Sequence, residues 1–220
     1  CSNFKDTSLQ HYGGQLFREI KTEVEDIFST IPVPKPSRSS TSFTGNFQQS
    51  FYKPSGPCVD GFGQVKMANG STILVKDLVK GDLVSSDGRT ASIVCIIKTK
   101  IKSGHVDMLS LNGMKVTPWH PVRINNKWDF PANIGTLIPV NCDYVYNFVL
   151  NEHHVMHIGG TDIITLGHGI SNDPILKHPF FGTNKVIDHL KTHPGWADGL
   201  IEMDEYKPSY DNNGMISSFW

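Results

Sequence analysis

Residues 55–78 read "SGPCVDGFGQVKMANGSTILVKDL", and two features of this stretch decide how the chain folds. Asn69-Gly70 is flanked by alternating apolar and polar residues, the strongest short-range signal for a β-hairpin. Just upstream, Cys58 stands directly after Pro57, at the point where a polar, proline-studded stretch gives way to strand-like sequence. A cysteine at such a junction is either one more core residue or the reactive atom of the chain.

The strand pattern continues from there. "KGDLVSSDGRTASIVCIIKTKI" (80–101) offers a second turn at Asp87-Gly88 and then a β-branched run. "MLSLNGMKVTPWHPVRINNKWDFP" (108–131) and "DYVYNFVLNEHHVMHIGGTDIITLGHG" (143–169) add short strands with turn signals at regular intervals. That spacing predicts a compact all-β domain over residues 58–169, without helical crossovers.

The flanks differ. In "GGQLFREIKTEVEDIFSTIP" (13–32), Leu16, Ile20, Val24, Ile27 and Phe28 recur at helical spacing, and Pro32 stops the helix. Residues 33–57 read as an extended arm whose Phe43, Phe47, Phe51 and Tyr52 could pin it to a neighbouring surface. The chain therefore divides into an N-terminal helix and arm (1–57), the β domain (58–169) and a small mixed C-terminal extension (170–220). In the extension, "NKVIDHLKTH" predicts a short helix with Val186, Ile187 and Leu190 on one side, and the rest reads as irregular capping structure.

Composition narrows the function classes. Twenty Lys and Arg against twenty-one Asp and Glu give a formal net charge of −1, with no basic field to attract nucleic acid or an anionic membrane. No apolar run is long enough to span a bilayer, and no signal-peptide core opens the chain. The absence of an initial methionine suggests a piece of a longer protein. Cys1, Cys58, Cys95 and Cys142 are scattered and form no CxxC pair, which favours a reduced, intracellular (cytoplasmic) setting over a disulfide or zinc scaffold.

Chemistry concentrates at "VTPWHPV" (116–122), where Thr117 and His120 stand three residues apart around Pro118. A thiol needs a base to become a nucleophile, and a departing amide nitrogen needs a proton; histidine can serve both near neutral pH. "HHVMH" adds His153, His154 and His157. If this stretch is a strand, His153 and His157 share a face and could share an ion with Cys58 or Asp143, a rival metal-binding reading that is not the preferred one. No cofactor is expected.

Cys58 at the start of a β domain, then "KMANGSTILVKDLVKGDLV", then "TPWH", then strands closing on "TLGHG", together resemble the Hint fold of hedgehog proteins and inteins. The pattern is most similar to the Vint group found beside von Willebrand A domains, and that resemblance extends through "KHPFFGTNKVIDHL" (177–190). It implies a horseshoe-like β fold and self-cleavage at Pro57-Cys58. Cys58 would attack the Pro57 carbonyl in an N-to-S acyl shift, His120 would protonate the departing nitrogen, and Thr117 would orient the scissile peptide. The substrate is then the chain's own N-terminal segment, and a von Willebrand A domain is an implied neighbour.

The sequence departs from its relatives at the second step. Inteins end in His-Asn, whose asparagine cyclises; here the matching place is His168-Gly169, and Asn172 is offset from that role, so splicing is not expected. Where many inteins carry an aspartate, this chain has Asn147, which cannot be a charged base; Cys142 and Asp143 just upstream are the secondary candidates. Nothing in the extension suggests a sterol clamp, which leaves water or another nucleophile to take the acyl group. The alternative readings are a conventional cysteine hydrolase and a Hint-like module that no longer cleaves and only holds its arm.

Overall fold

The computed structural model describes residues 56–212 and 214–220. The helix and aromatic arm expected over residues 1–55 lie outside the described residues.

Among the described residues sixteen strands carry the fold: β1 (Val59–Asp60), β2 (Gln64–Lys66), β3 (Thr72–Leu74), β4 (Leu83–Ser86), β5 (Arg89–Lys100), β6 (His105–Leu111), β7 (Met114–Val116), β8 (Val122–Ile124), β9 (Lys127–Asp129), β10 (Ile138–Asn141), β11 (Tyr144–Leu150), β12 (Val155–Ile158), β13 (Thr161–Ile164), β14 (Leu200–Met203), β15 (Ser209–Tyr210) and β16 (Ile216–Ser218). The helices are minor: α1 (Pro131–Ile134) and α2 (Asn184–Leu190). One sheet runs β10-β6-β7-β1-β11-β5-β14, with β4 paired to β5; a second runs β3-β2-β12-β13-β8-β9.

Tight turns account for much of this connectivity. Asp87-Gly88, Asn112-Gly113, Asn125-Asn126 and Gly159-Gly160 all have positive φ at both residues, and each joins directly paired antiparallel strands. This is the turn whose own twist matches that of the strands it joins, hence the Asn, Asp and Gly. Asn69-Gly70 also makes the expected hairpin, but with a longer loop. Met67 and Ser71 close it, only Gly70 is left-handed (φ 87°), and Asn69 Oδ1 accepts the Ser71 N–H at 3.0 Å.

The long pair β5–β11 is buried on both faces, which explains the near-continuous apolar run "IVCIIKTKI". Ile93, Ile96, Tyr146, Phe148 and Leu150 face one way, into a core shared with Val65, Val84, Val122, Met156, Ile158 and Ile163. Cys95, Ile97 and Val149 face the other way, against Phe180, Phe181, Val186, Leu190, Ile201 and Phe219 from the C-terminal extension. Helix α2 forms where the sequence predicts it, capped by Thr183 Oγ1, which accepts the Lys185 N–H at 3.3 Å.

The extension is more ordered than its sequence suggests. Strand β14 joins the main sheet parallel to β5, in the register Leu200↔Ile96 to Met203↔Thr99. The reading of this region as irregular fails here because "LIEM" is too short to show a period. Its pairing comes from a strand about a hundred residues earlier.

Candidate active site at the Pro57–Cys58 junction

The site follows from sheet register. Strand β1 lies between β7 and β11, with Val59 opposite Val116 on one side and Tyr146 on the other. Antiparallel register carried back one residue sets Cys58 between Thr117 and Asn147, with all three directed to one face. Two residues far apart in sequence therefore flank Pro57-Cys58.

Both ends of that peptide bond are held. The Cys58 N–H donates to Thr117 Oγ1 at 2.8 Å. The Thr117 hydroxyl in turn has the carbonyls of Gly56 (2.9 Å) and Cys58 (3.1 Å) within donor reach, and the Thr117 N–H donates to the Cys58 carbonyl at 2.9 Å. At the other end, Asn147 Nδ2 donates to the Pro57 carbonyl oxygen. The Asn147 side chain cannot be turned over, because its Oδ1 accepts the Phe148 N–H at 2.8 Å. No peptide bond among the described residues is cis, so Gly56-Pro57 is trans.

His120 is buried beneath the junction, at 1% exposure. Its Nε2 lies 2.8 Å from the Ile164 carbonyl. A carbonyl only accepts, so Nε2 carries the hydrogen and Nδ1 keeps a lone pair. That Nδ1 is buried and makes no well-formed hydrogen bond among the described residues. Burial lowers the imidazole to about 4, with backbone interactions at Ile164 and Cys58 opposing part of the shift. At neutral pH His120 is therefore an uncharged base against the Cys58 backbone. The thiol of Cys58 is pushed up to about 12, first by burial and then by the nearby Cys142.

The secondary candidates lie around this centre. Cys142 packs in the same small apolar cluster as Cys58, with Met108, Val140 and Val145. The Asp143 backbone carbonyl accepts the Ile101 N–H at 2.8 Å, and the Cys142 thiol is raised first by burial and then by the charges of Asp60 and Asp143. His168 Nδ1 accepts the Ile170 N–H at 3.0 Å, and burial lowers the ring to about 4. A cavity of about 40 Å³, apolar for the most part, brings Pro57 and Asn147 together with Trp119, Leu166, His168 and His178. That is room for roughly three waters.

The rival metal reading loses its premise. His153 and His154 form a turn with φ of 65° and 54° before β12 begins, so His153 and His157 do not share a strand face. His153 pairs with Glu152 and His157 with Asp162. Among the described residues, no group of three His, Cys, Asp or Glu is arranged to hold a metal ion. No described helix is long and apolar enough to cross a membrane.

Asn147 and Tyr206 were not reached from sequence as site residues. In the sequence Asn147 stands out only for the charge it lacks, although an amide in that place remains a hydrogen-bond donor. Tyr206 lies in a stretch with no motif, and only the return of the chain after β14 brings it to the junction.

The two larger sheets, antiparallel except where β14 joins β5, hold the junction peptide between β7 and β11, the two neighbours of β1. The chain belongs to the Vint family of Hint domains, whose profile matches residues 57–215. It is also similar to solved structures of inteins. The gp41-1 intein is 14% identical with a TM-score of 0.39, covering 50% of this chain and 100% of its own. The DnaB intein from Synechocystis is 11% identical with a TM-score of 0.40, covering 50% and 99%. A bacterial intein-like domain from Clostridium thermocellum is 14% identical with a TM-score of 0.40, covering 50% and 99%. No curated protein matches the chain significantly.

Proposed function

We propose that this Hint domain cleaves its own chain at Pro57-Cys58 through a thioester. The observation that carries the reading is the grip on the junction, with Asn147 on the carbonyl oxygen and Thr117 on the amide nitrogen. Donors at the carbonyl stabilise the oxyanion of a tetrahedral intermediate, typically the largest single contribution to acyl transfer. The Thr117 hydroxyl fixes the nitrogen that must leave.

The proton path balances through His120. Its Nδ1 takes the Cys58 thiol proton as Sγ attacks the Pro57 carbonyl carbon. The resulting imidazolium then gives that proton to the Cys58 nitrogen as the carbon–nitrogen bond breaks. The product carries a Pro57–Cys58 thioester and a free α-amine on Cys58. A buried imidazolium is a strong acid, so the second transfer is downhill. The acyl group passes finally to water or another small nucleophile, for which the cavity beside Pro57 and Asn147 offers room. Without an asparagine after His168, the C-terminal side stays attached.

One observation favours a slower, arm-holding role. With the Cys58 thiol pushed up to about 12, free thiolate amounts to about one molecule in 10⁵ at pH 7. Attack then depends on direct transfer to His120.

Intact mass spectrometry of the full chain, with and without hydroxylamine and alongside Cys58→Ala, tests the reading. Fragments divided at Pro57-Cys58 in the wild type alone support it. A wild type that stays whole under strong nucleophile leaves only the holding role.

A further inference from the structure

Tyr206 lines the junction, and it comes from the extension that follows β14. Its ring lies against Gly56: a Cβ on that glycine would stand 3.2 Å from Tyr206 Cε2 and Cζ and 3.3 Å from the hydroxyl. Tyr206 and Cys58 jointly line two small cavities of about 20 and 30 Å³, with Thr99 on the wall of each. The hydroxyl is fully buried and has no hydrogen-bond partner among the described residues.

A buried hydroxyl left unpaired is destabilising, and a fold can remove that cost by placing phenylalanine instead. Here the residue that carries the unpaired donor shares the walls of two small cavities with Cys58. A neutral thiol is a weak acceptor, whereas a sulfur gaining negative charge is a strong one. An interaction absent at rest and formed as charge develops lowers the barrier without stabilising the ground state.

We propose that Tyr206 is a catalytic hydrogen-bond donor to the Cys58 sulfur, contributed by the C-terminal extension and engaged only while that sulfur carries negative charge. The inference rests on the cleavage reading for its purpose, though not for its chemistry. As the thiol proton leaves for His120, the Tyr206 hydroxyl turns towards Sγ. It keeps its own proton throughout, and the bond relaxes once the sulfur is acylated. Burial and the neighbouring Cys58 raise the phenol above its ordinary value, so it remains a neutral donor across the working range.

Tyr206→Phe removes the hydroxyl and keeps the ring over Gly56. The first measurement is the alkylation rate of Cys58 by iodoacetamide at pH 8–9 in the uncleaved full chain, read by peptide mass spectrometry with Cys95 and Cys142 as internal references. Loss of a donor to the thiolate lowers its population about tenfold while raising its intrinsic reactivity, a net slowing of about threefold. A merely structural role predicts the opposite sign, because a roomier cavity admits the reagent faster. The second measurement is hydroxylamine-induced cleavage, expected to slow roughly 10- to 100-fold in Tyr206→Phe. Unchanged or faster alkylation overturns the inference, as does unchanged cleavage in a wild type that cleaves. A wild type that never cleaves but shows slower alkylation in Tyr206→Phe removes the cleavage reading and leaves the donor in place.

Discussion

The Asn147 amide holds the Pro57 carbonyl because its own oxygen is tied to the Phe148 N–H, so a change of one atom type has a defined consequence. Asn147→Ala should slow thioester formation by about 10²-fold, as loss of one oxyanion donor does elsewhere, and should also lower the melting temperature, because the buried Phe148 N–H loses its acceptor. The timed mass of hydroxylamine-released fragments measures it, and an unchanged rate would remove Asn147 from the chemistry. The His120–Cys58 pair makes a second prediction. With the imidazole near 4 and the thiol near 12, the reactive form is neutral base beside neutral thiol, and it dominates between those values. Cleavage should therefore be flat from about pH 5 to 9 and fall below about pH 4 as His120 takes a proton. Attack by pre-formed thiolate would instead climb about tenfold per pH unit over the same range.

Turns and strand register decide where these residues meet. Gly159 begins the β12–β13 turn at φ 55°, and a Cβ there would stand 2.9 Å from the Asn112 carbonyl oxygen and the Met114 nitrogen. Gly159→Ala should then cost at least about 1–2 kcal/mol, seen as a lower urea midpoint with an unchanged slope. On the opposite face, Ile201 of β14 is fully buried among Phe180, Phe181 and Leu190. Ile201→Ala should lose about 2–5 kcal/mol. If Tyr206 acts on Cys58, that substitution also slows cleavage more than a matched loss of stability at Ile163 in the other core. Equal slowing from both sites would mean that β14 matters only for stability.

For the whole molecule, acid is the informative stress. Burial lowers His120 to about 4, His168 to about 4 and His178 to about 3, so each is neutral in the folded chain while its unfolded counterpart takes a proton near 6.5. The unfolded state then binds more protons below pH 6.5, and stability must fall as pH drops through the window from about 6.5 to 4. His120 alone is worth up to about 3 kcal/mol across that window. Urea midpoints at pH 7 and pH 4.5 measure the loss, and His178→Phe should flatten the dependence if the pocket accepts the ring. Much of the architecture was legible beforehand. Asp87-Gly88 and Asn69-Gly70 announce turns through local backbone preference, the β-branched run that follows Asp87-Gly88 announces a strand, and the spacing of Val186, Ile187 and Leu190 announces α2. Cys58, Thr117 and His120 were found by their residue types and their resemblance to a known pattern. What sequence could not supply is the pairing of β1 with both β7 and β11, since register is a property of two strands at once. That pairing alone sets Asn147 on the Pro57 carbonyl, and the return of the chain after β14 alone brings Tyr206 over Gly56. The local code of turns, periods and residue types pointed to the strands of the β domain and to Cys58, Thr117 and His120 as candidates; only long-range packing decided which donors surround Cys58, because pairing is a property of two distant segments at once.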